Sequence, residues 1–504
     1  MSSILARTAQ GAGWVIAWRL MTRLLGVAST LVLVRLLSPA DFGLVALATA
    51  FALALDVCLS IGVEDQIVRS PAPTRALYDT AFTLNLMKAL TVAVLLAVCA
   101  APAAGFFGDA RLRDVLLALA LSAALSGATN IGIADFRRHL SFEKEFRLQF
   151  LPRLAGISMT IGIAWAFRSH WALVLGVLTN RAGIVLMSHV LHPYRQRLSL
   201  AAWRELSAVS FWSWAISVAA TIRDRADSFV IGRVLGPAPL GIYAVGVEVA
   251  ALPTTEMVDP ICRACMPGFA ATLRDAGQEG VAPTYLRIIG LMAVLTLPAG
   301  IGTSLIAEPV VAVVFGPAWQ EAATVMALIA LGCTMSLAGN VSAALLNARA
   351  ALRSILIVTA LAAMLRIGLL LLFLPFWGLF GAALAIALAL VLEHLALVGG
   401  ALRLLALRPW ELLRVVHRPA LAAAAMAALL WGCGLGWAPS PSSPAAALTM
   451  LGQAIPLAMA SYALVLLALW RLAGGPAGAE ADLLRLFQTV LARLRLPRRR
   501  LASR

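Results

Sequence analysis

Apolar residues in this chain come in long unbroken runs rather than in alternation. A helix rises 1.5 Å per residue, so about 20 apolar residues cross the roughly 30 Å hydrocarbon core of a bilayer. Fourteen such runs can be read, at about 11–36, 40–62, 77–104, 112–136, 148–167, 171–191, 207–231, 239–263, 284–306, 321–347, 353–374, 376–402, 417–437 and 445–471. In lipid, a helix satisfies every backbone N–H and C=O within its own segment. The fold class predicted is therefore all-α, a polytopic membrane protein of about 14 transmembrane helices.

The connections are short and of two alternating kinds. One kind is basic, as at Arg137, Arg138, Lys144 and Arg147, or at Arg403, Arg408, Arg414 and Arg418, and this side holds 27 Lys and Arg when both ends of the chain are included. The other holds five, Arg35, Arg111, Arg113, Arg168 and Arg233. By the positive-inside rule both termini are expected in the cytoplasm, which requires an even number of spans. The first run is too long for a cleavable signal peptide and lacks a small-residue cleavage pattern.

A repeat runs through the pattern. The turn Arg35-Leu36-Leu37-Ser38-Pro39-Ala40-Asp41-Phe42-Gly43 recurs as Arg233-Val234-Leu235-Gly236-Pro237-Ala238-Pro239-Leu240-Gly241, at an offset of 198. Phe107-Gly108-Asp109-Ala110 returns as Phe315-Gly316-Pro317-Ala318, and Trp171-Ala172-Leu173 as Trp377-Gly378-Leu379. Matches in the same order indicate duplication, giving an N-terminal six-helix lobe at 1–204 and a second at 205–405. Two further helices lie in 406–472. Residues 473–504 read as a basic amphipathic tail on anionic lipid, or as a solvated tail. Because six is even, the two lobes insert the same way up, related by an axis along the membrane normal.

Composition agrees with the pattern. The 504 residues are 61% hydrophobic and 13% charged, with a mean hydropathy of +0.90. A net charge of +16 would suggest nucleic acid in a soluble chain, but here the basic residues sit at membrane borders, and no nucleic-acid partner is expected. The six cysteines all fall in apolar runs, and Cys262-x-x-Cys265 has no nearby His or Cys to complete a metal site. No phosphate-cradling G-x-x-x-x-G-K-S/T loop is present, so no nucleotide cofactor is expected.

The candidate chemistry lies in charges within spans. Arg19, Arg23, Lys88, Arg181 and Arg366 fall near the middle of theirs, and Arg223 and Arg225 share the seventh. Each costs about 2.5 to 3.5 kcal/mol facing lipid on insertion scales, so they must face a polar interior. Guanidinium forks match phosphate oxygens bidentately, which suits a diphosphate passenger. A structural role is the alternative, above all for Arg153, Arg225 and Arg366: pairing with a buried carboxylate, or snorkelling to an interface. The acids in or beside spans are Asp56, Asp224, Asp227, Glu248, Glu256, Asp259 and Glu393. A buried carboxylate can alternate between charged and neutral forms, so Asp56 and Glu248 are candidates for coupling to a proton or Na⁺, or for pairing with arginines. Asn130, Asn180, Asn340, Trp14, Trp212 and Trp214 either line a sugar path or serve as helix contacts and interfacial anchors.

The turn at Arg35 to Gly43, together with Arg225-Ala226-Asp227-Ser228-Phe229-Val230-Ile231-Gly232-Arg233-Val234-Leu235-Gly236, Leu240-Gly241-Ile242-Tyr243, Leu252-Pro253, Pro260-Ile261 and Met266-Pro267, resembles the Wzx-type oligosaccharide flippases. These belong to the multidrug, oligosaccharidyl-lipid and polysaccharide exporter superfamily. The resemblance implies two six-helix bundles around a central cavity. It also implies movement of an undecaprenyl-diphosphate-linked oligosaccharide to the periplasmic leaflet of the bacterial inner membrane, with membrane lipids and polysaccharide polymerase or export proteins as partners. The family's cationic cavity maps onto Arg19 and Arg23, and less directly onto Arg223 and Arg225, where Asp224 and Asp227 mix the signs. A MATE-like exporter of small molecules shares the span logic but needs an acidic cavity for a cationic passenger. A membrane polymerase or ligase needs a larger extramembrane region than these short outward loops supply.

Overall fold

The computed structural model describes residues 21–485 except 23, 24, 27, 61, 64–66, 69, 71, 140, 207–210, 276, 477 and 484. Every regular element among them is helical. The long helices are α1 (Pro39–Cys58), α2 (Arg75–Phe107), α3 (Arg111–Gly127), α4 (Phe142–Phe167), α5 (Trp171–Leu191), α6 (Phe211–Val234) and α7 (Pro237–Asp275). They continue as α8 (Gly277–Leu305), the short α9 (Ala307–Val314), α10 (Ala322–Ala348), α11 (Leu352–Leu404), α12 (Pro409–Gly432) and α13 (Pro444–Leu472).

Among the described residues nine helices are long and apolar enough to cross a membrane, and ten if the bent pair Arg111–Gly127 and Ile131–Arg138 is one span. Specific features separate this number from fourteen. The first expected span lies largely outside the described residues. Helix α6 carries Arg223, Asp224, Arg225 and Asp227 in succession, and α7 is diluted by Glu248 and Pro253. Helix α11, counted once, is two helices joined at Gly378, where φ is 54° and ψ is −134°.

The chain divides into two compact units, Met1–Ala244 with Leu370–Leu379 and Val245–Leu369 with Phe380–Arg504. The first is organised around two helix starts. Ser38 caps α1: its hydroxyl accepts from the Asp41 amide at 3.3 Å while the Asp41 carboxylate accepts from the Ser38 amide at 3.1 Å. This reciprocal capping box, with Pro39 at the first helical position, fixes where the helix begins. The second copy of the turn starts α7 at Pro237. The two starts then cross backbone to backbone. A Cβ on Gly43 would lie 1.7 Å from the Pro237 carbonyl oxygen, and one on Gly241 would lie 1.9 Å from that of Pro39. The repeated residues thus contact one another as a two-fold pair, and only glycine fits at either position.

From this crossing α6 runs antiparallel along α1. The Phe51 and Phe229 rings meet edge to face at 4.7 Å, Gly232 lies against Leu47, and Trp214 Nε1 donates to the Cys58 carbonyl at 3.0 Å. The buried Tyr243 hydroxyl donates to Asp227 at 2.6 Å, so this acid is consumed in joining α6 to the start of α7. At the end of α6 nearest the crossing, Arg233 sits over the Phe106 ring at 5.0 Å, a cation–π contact.

Helices α4 and α5 form a close hairpin whose seam is made of small residues. The Thr160 hydroxyl, donating to the Gly156 carbonyl at 2.9 Å, fills the space a Gly176 side chain would need. After α5, residues 193–202 return as a strap along the start of α2. The amides of Arg197, Ser199 and Ala202 donate to Asp79 (2.8 Å), Thr83 (2.9 Å) and Thr80 (3.1 Å). The Tyr194 hydroxyl donates to Asp79 at 2.8 Å. Burial, reinforced by the neighbouring Asp79 carboxylate, pushes the Tyr194 phenol up to about 12.

The second unit has two cores. Phe269, Tyr285, Ile289, Met292, Val341 and Leu345 form one, with Tyr285 hydrogen-bonded to Ser342 at 2.8 Å. Cys265 belongs to this core, a packing role for one member of the C-x-x-C pair. Residues of α8, α12 and α13 form the other, closed by Tyr462 donating to the Val294 carbonyl at 2.8 Å. Large apolar side chains such as Val98, Trp165, Met364, Phe376 and Met459 point outward, the arrangement a bilayer rewards and water does not.

The Gly43 and Gly241 crossing is directly testable. Gly43→Ala and Gly241→Ala each drive a methyl group into a carbonyl oxygen and are expected to destabilise by about 3 kcal/mol or more, the upper range for overpacking. Gly105→Ala, where nothing lies within 4 Å, should be neutral. The readout is the thermal midpoint and yield of detergent-purified protein, and unchanged values for both crossing variants would contradict the contact.

Candidate functional site

Inside the first unit, α1 to α5 and the connection after α3 line a partly open cavity of about 500 Å³. Its construction depends on one bend. Helix α3 ends at Gly127, and the chain turns by 69° into the segment Ile131–Arg138. Breaking a helix at membrane depth frees backbone groups that lipid cannot satisfy. Asn130, fully buried, meets that cost at the bend. Its amide donates to Ser188 Oγ at 3.0 Å, its Nδ2 to the Tyr194 carbonyl at 2.8 Å, and its Oδ1 accepts from the Gly132 amide at 3.0 Å. Asn130 is thereby spent on tying α3 to the end of α5.

The bend brings Arg137 to the cavity, whose other polar lining comes from every surrounding helix. Thr49 and Asp56 stand on α1, Asn85 and Lys88 on α2, Ser122 and Ser126 on α3, Gln149 on α4 and Arg181 on α5. Lys88 Nζ lies 2.8 Å from Asp56 Oδ1, and Arg137 Nε donates to Glu145 at 2.9 Å. Arg181, in the middle of α5, has no ion-pair or hydrogen-bond partner among the described residues. The cavity therefore contains three cations, of which one lacks a counter-ion. An unpaired guanidinium on the wall of a cavity between membrane-spanning helices attracts an anion more strongly than one in bulk water.

Of the residues singled out in the sequence, Lys88, Arg181 and Asp56 share this cavity. Arg19 and Arg23 lie outside the described residues. Arg223 belongs to the first unit but does not line the cavity, and its Nε donates to the adjacent Asp224 at 2.8 Å. Arg366, 7% exposed, and Glu393, 6% exposed, are buried on α11 in the second unit, and Glu248 stands exposed on the second-unit part of α7. Asn180 contacts Gly156 across the α4 and α5 seam. Trp212 and Trp214 are exposed at the start of α6, as interfacial anchors are.

Sequence reading missed Arg137, Asn85 and Gln149. Asn85 precedes Lys88 by three positions and Thr49 precedes Asp56 by seven, helical spacings that place each pair on one face. Arg137 had no such signal, because it counts as a loop charge until the bend at Asn130 places it at the edge of the cavity, where its side chain stays largely exposed.

Residues 32–324 match the family model described as "Polysaccharide biosynthesis protein". Among curated relatives, the lipopolysaccharide biosynthesis protein WzxC of Escherichia coli (strain K12) is 23% identical over 69% of this chain and 71% of its own length. The succinoglycan biosynthesis transport protein ExoT of Rhizobium meliloti (strain 1021) is 25% identical over 63% of this chain and 65% of its own length. The fold is similar to that of the lipid II flippase MurJ in its inward closed conformation, with a TM-score of 0.69 at 12% identity, covering 90% of this chain and 98% of that one. An inward-facing multidrug resistance MATE family transporter follows at a TM-score of 0.60 and 14% identity, covering 76% and 94%. With its membrane-spanning helices and a family match over more than half its length, this multi-pass membrane protein belongs to the polysaccharide biosynthesis protein family.

Proposed function

We propose that the chain is a transporter that moves oligosaccharide repeat units carried on a polyprenyl diphosphate, such as undecaprenyl diphosphate, across the bacterial inner membrane. Movement runs from the cytoplasmic to the periplasmic leaflet by alternating access, for the export of an exopolysaccharide, O-antigen or capsule. One observation carries this reading: a partly open cavity in the first unit lined by Lys88, Arg137 and Arg181, with Arg181 unpaired among the described residues. The names of the relatives, a lipopolysaccharide biosynthesis protein and a succinoglycan transport protein, support it.

The chemistry follows from solvation. A diphosphate carries roughly two negative charges and cannot cross hydrocarbon unaided. Arg181 offers it a planar fork, while Asn85, Ser122, Ser126 and Gln149 provide hydrogen-bonding groups for oxygens or hydroxyls nearby. Lys88 is held by Asp56, so an arriving phosphate competes with that carboxylate for the ammonium. Asp56, once released, is left as an uncompensated acid, and proton or Na⁺ uptake there links passenger binding to ion binding. Glu248 is the second candidate for that role. Arg19, Arg23, Arg223 and Arg366 remain part of the proposed cationic path. The same fold serves a MATE transporter, but a cavity with a cationic majority disfavours a cationic drug as passenger. Binding and release suffice for this task, so the chain acts as a carrier and not as an enzyme.

Deletion is expected to leave lipid-linked oligosaccharide accumulated in the inner leaflet, measured by lipid extraction and leaflet-selective labelling; a normal lipid profile would exclude this passenger. Arg181→Gln should lower export about tenfold or more, the equivalent of one lost charge-assisted contact of 1.5 kcal/mol or greater. Arg181→Lys should recover part of it, and wild-type export in the Gln variant would remove Arg181 from the site. Asp56→Asn or Glu248→Gln should make export insensitive to external pH or Na⁺. If both retain the wild-type ion dependence, neither carboxylate couples transport.

A further inference from the structure

The second unit carries a separate basic site at its arginine-rich end. There the first turn of the C-terminal segment packs into a groove between α8 and α12. Ala479 is buried in the core shared by α8, α12 and α13, close enough to Gly290 that a side chain there would touch it. Two ion pairs fasten the segment. Asp482 takes both arms of Arg287 at 2.5 Å, and Glu480 lies 3.3 Å from Arg418. The Arg287 guanidinium holds the Asp482 carboxyl below the usual carboxylate range, so the first pair is charged at neutral pH.

Docking leaves a cavity of about 460 Å³ between the segment and the helices, lined by Arg287, Arg414, Arg418, Arg485, Glu480 and Asp482. Four guanidiniums face two carboxylates. The surplus is concentrated in definite places. Among the described residues Arg414 makes no ion pair or hydrogen bond and lies over the Trp410 ring at 5.6 Å. Arg418 Nη1 is buried and makes no hydrogen bond, its ion-pair contact with Glu480 being poorly aligned. Trp410, 60% exposed, lies under the Arg414 guanidinium, and Leu413, 55% exposed, precedes Arg414 on the first turns of α12. An exposed tryptophan beside arginines at a helix start marks the depth of lipid headgroups.

We propose that this groove binds the phosphate of an anionic phospholipid headgroup, with Arg414, Arg418 and Arg485 as its ligands and the C-terminal segment as one wall. Guanidinium forks fit the phosphodiester of phospholipids generally, and the surplus positive charge repels the cation of a choline or ethanolamine headgroup, so a lipid with net negative charge is preferred. The exposed apolar side chains beside Arg414 suit acyl chains, which distinguishes a lipid from a free anion. The site depends on none of the residues assigned to the transport cavity.

Native mass spectrometry of the full-length protein with added phosphatidylglycerol or phosphatidylcholine tests this. Phosphatidylglycerol should be retained preferentially, and Arg414→Gln with Arg485→Gln should cut its retention about tenfold. Both side chains are exposed, and Arg414→Lys, which keeps the charge but loses the fork, should give an intermediate loss. Neutralising Arg498, Arg499 and Arg500 to Gln should leave retention unchanged. Equal retention of both lipids, retention unaltered in the Arg414 and Arg485 variant, or loss only in the tail variant would each overturn the proposal. Displacement of the lipid by millimolar inorganic phosphate would assign the groove to free phosphate and overturn the lipid assignment.

Discussion

The close approach of two backbones, at Gly43 and Gly241, is the contact on which the first unit depends. Each glycine presses against the carbonyl of the other copy's helix-initiating proline. The separation leaves no room for any side chain, so the crossing angle and register of the two helix starts are both set by it. With α1 pinned there, α6 lies down along it through Phe51, Phe229 and Trp214. The face of α1 that carries Thr49 and Asp56 is then presented to α2, α3 and α5, and the cavity forms between them.

Charge within an apolar chain is the second constraint, and it sorts the ionisable groups into two sets. Some are consumed by structure: Asp227 by Tyr243 and Asp41 by the Ser38 cap. Others meet at the edge of open space, as Lys88 and Asp56 do. A pair at a cavity wall is marginal in a way that a fully enclosed pair is not. Separating its members costs less where a polar ligand or water can replace the lost partner, and such a pair can change partners during a cycle.

Much of this was legible in the sequence, for physical reasons. Long apolar runs must be spanning helices because lipid supplies no hydrogen bonds. The repeated Pro-Ala-x-x-Gly turn could be found because a backbone crossing tolerates so few residues. Lys88, Arg181 and Asp56 stood out because charge at mid-span needs a polar interior. Which acid serves which base was not legible, since pairing depends on helix rotation that hydropathy does not record. Asp56 finds Lys88 on α2 and not an arginine of the second lobe. The approach of Arg137 to the cavity edge was equally hidden, because it follows from a bend that a buried Asn at position 130 stabilises, and nothing in an apolar pattern marks one asparagine as a pivot. The basic tail read as lipid-facing or solvated along its length, yet its first turn is held by Arg287 and Arg418.

The strap of residues 193–202 fastens to α2 chiefly by its own main chain: the amides of Arg197, Ser199 and Ala202 find Asp79, Thr83 and Thr80. Leu198 and Leu200, between them, face outward. The two sides of this fastening are therefore unequal in what mutation can do to them. Any residue but proline supplies an amide, so the strap can drift in sequence and stay attached, whereas the short acceptors on α2 have few substitutes. At those three positions selection for keeping the connection falls on the helix, while along the strap it is confined to residues that add a side chain to the joint, Tyr194 on Asp79 and the buried Ala202.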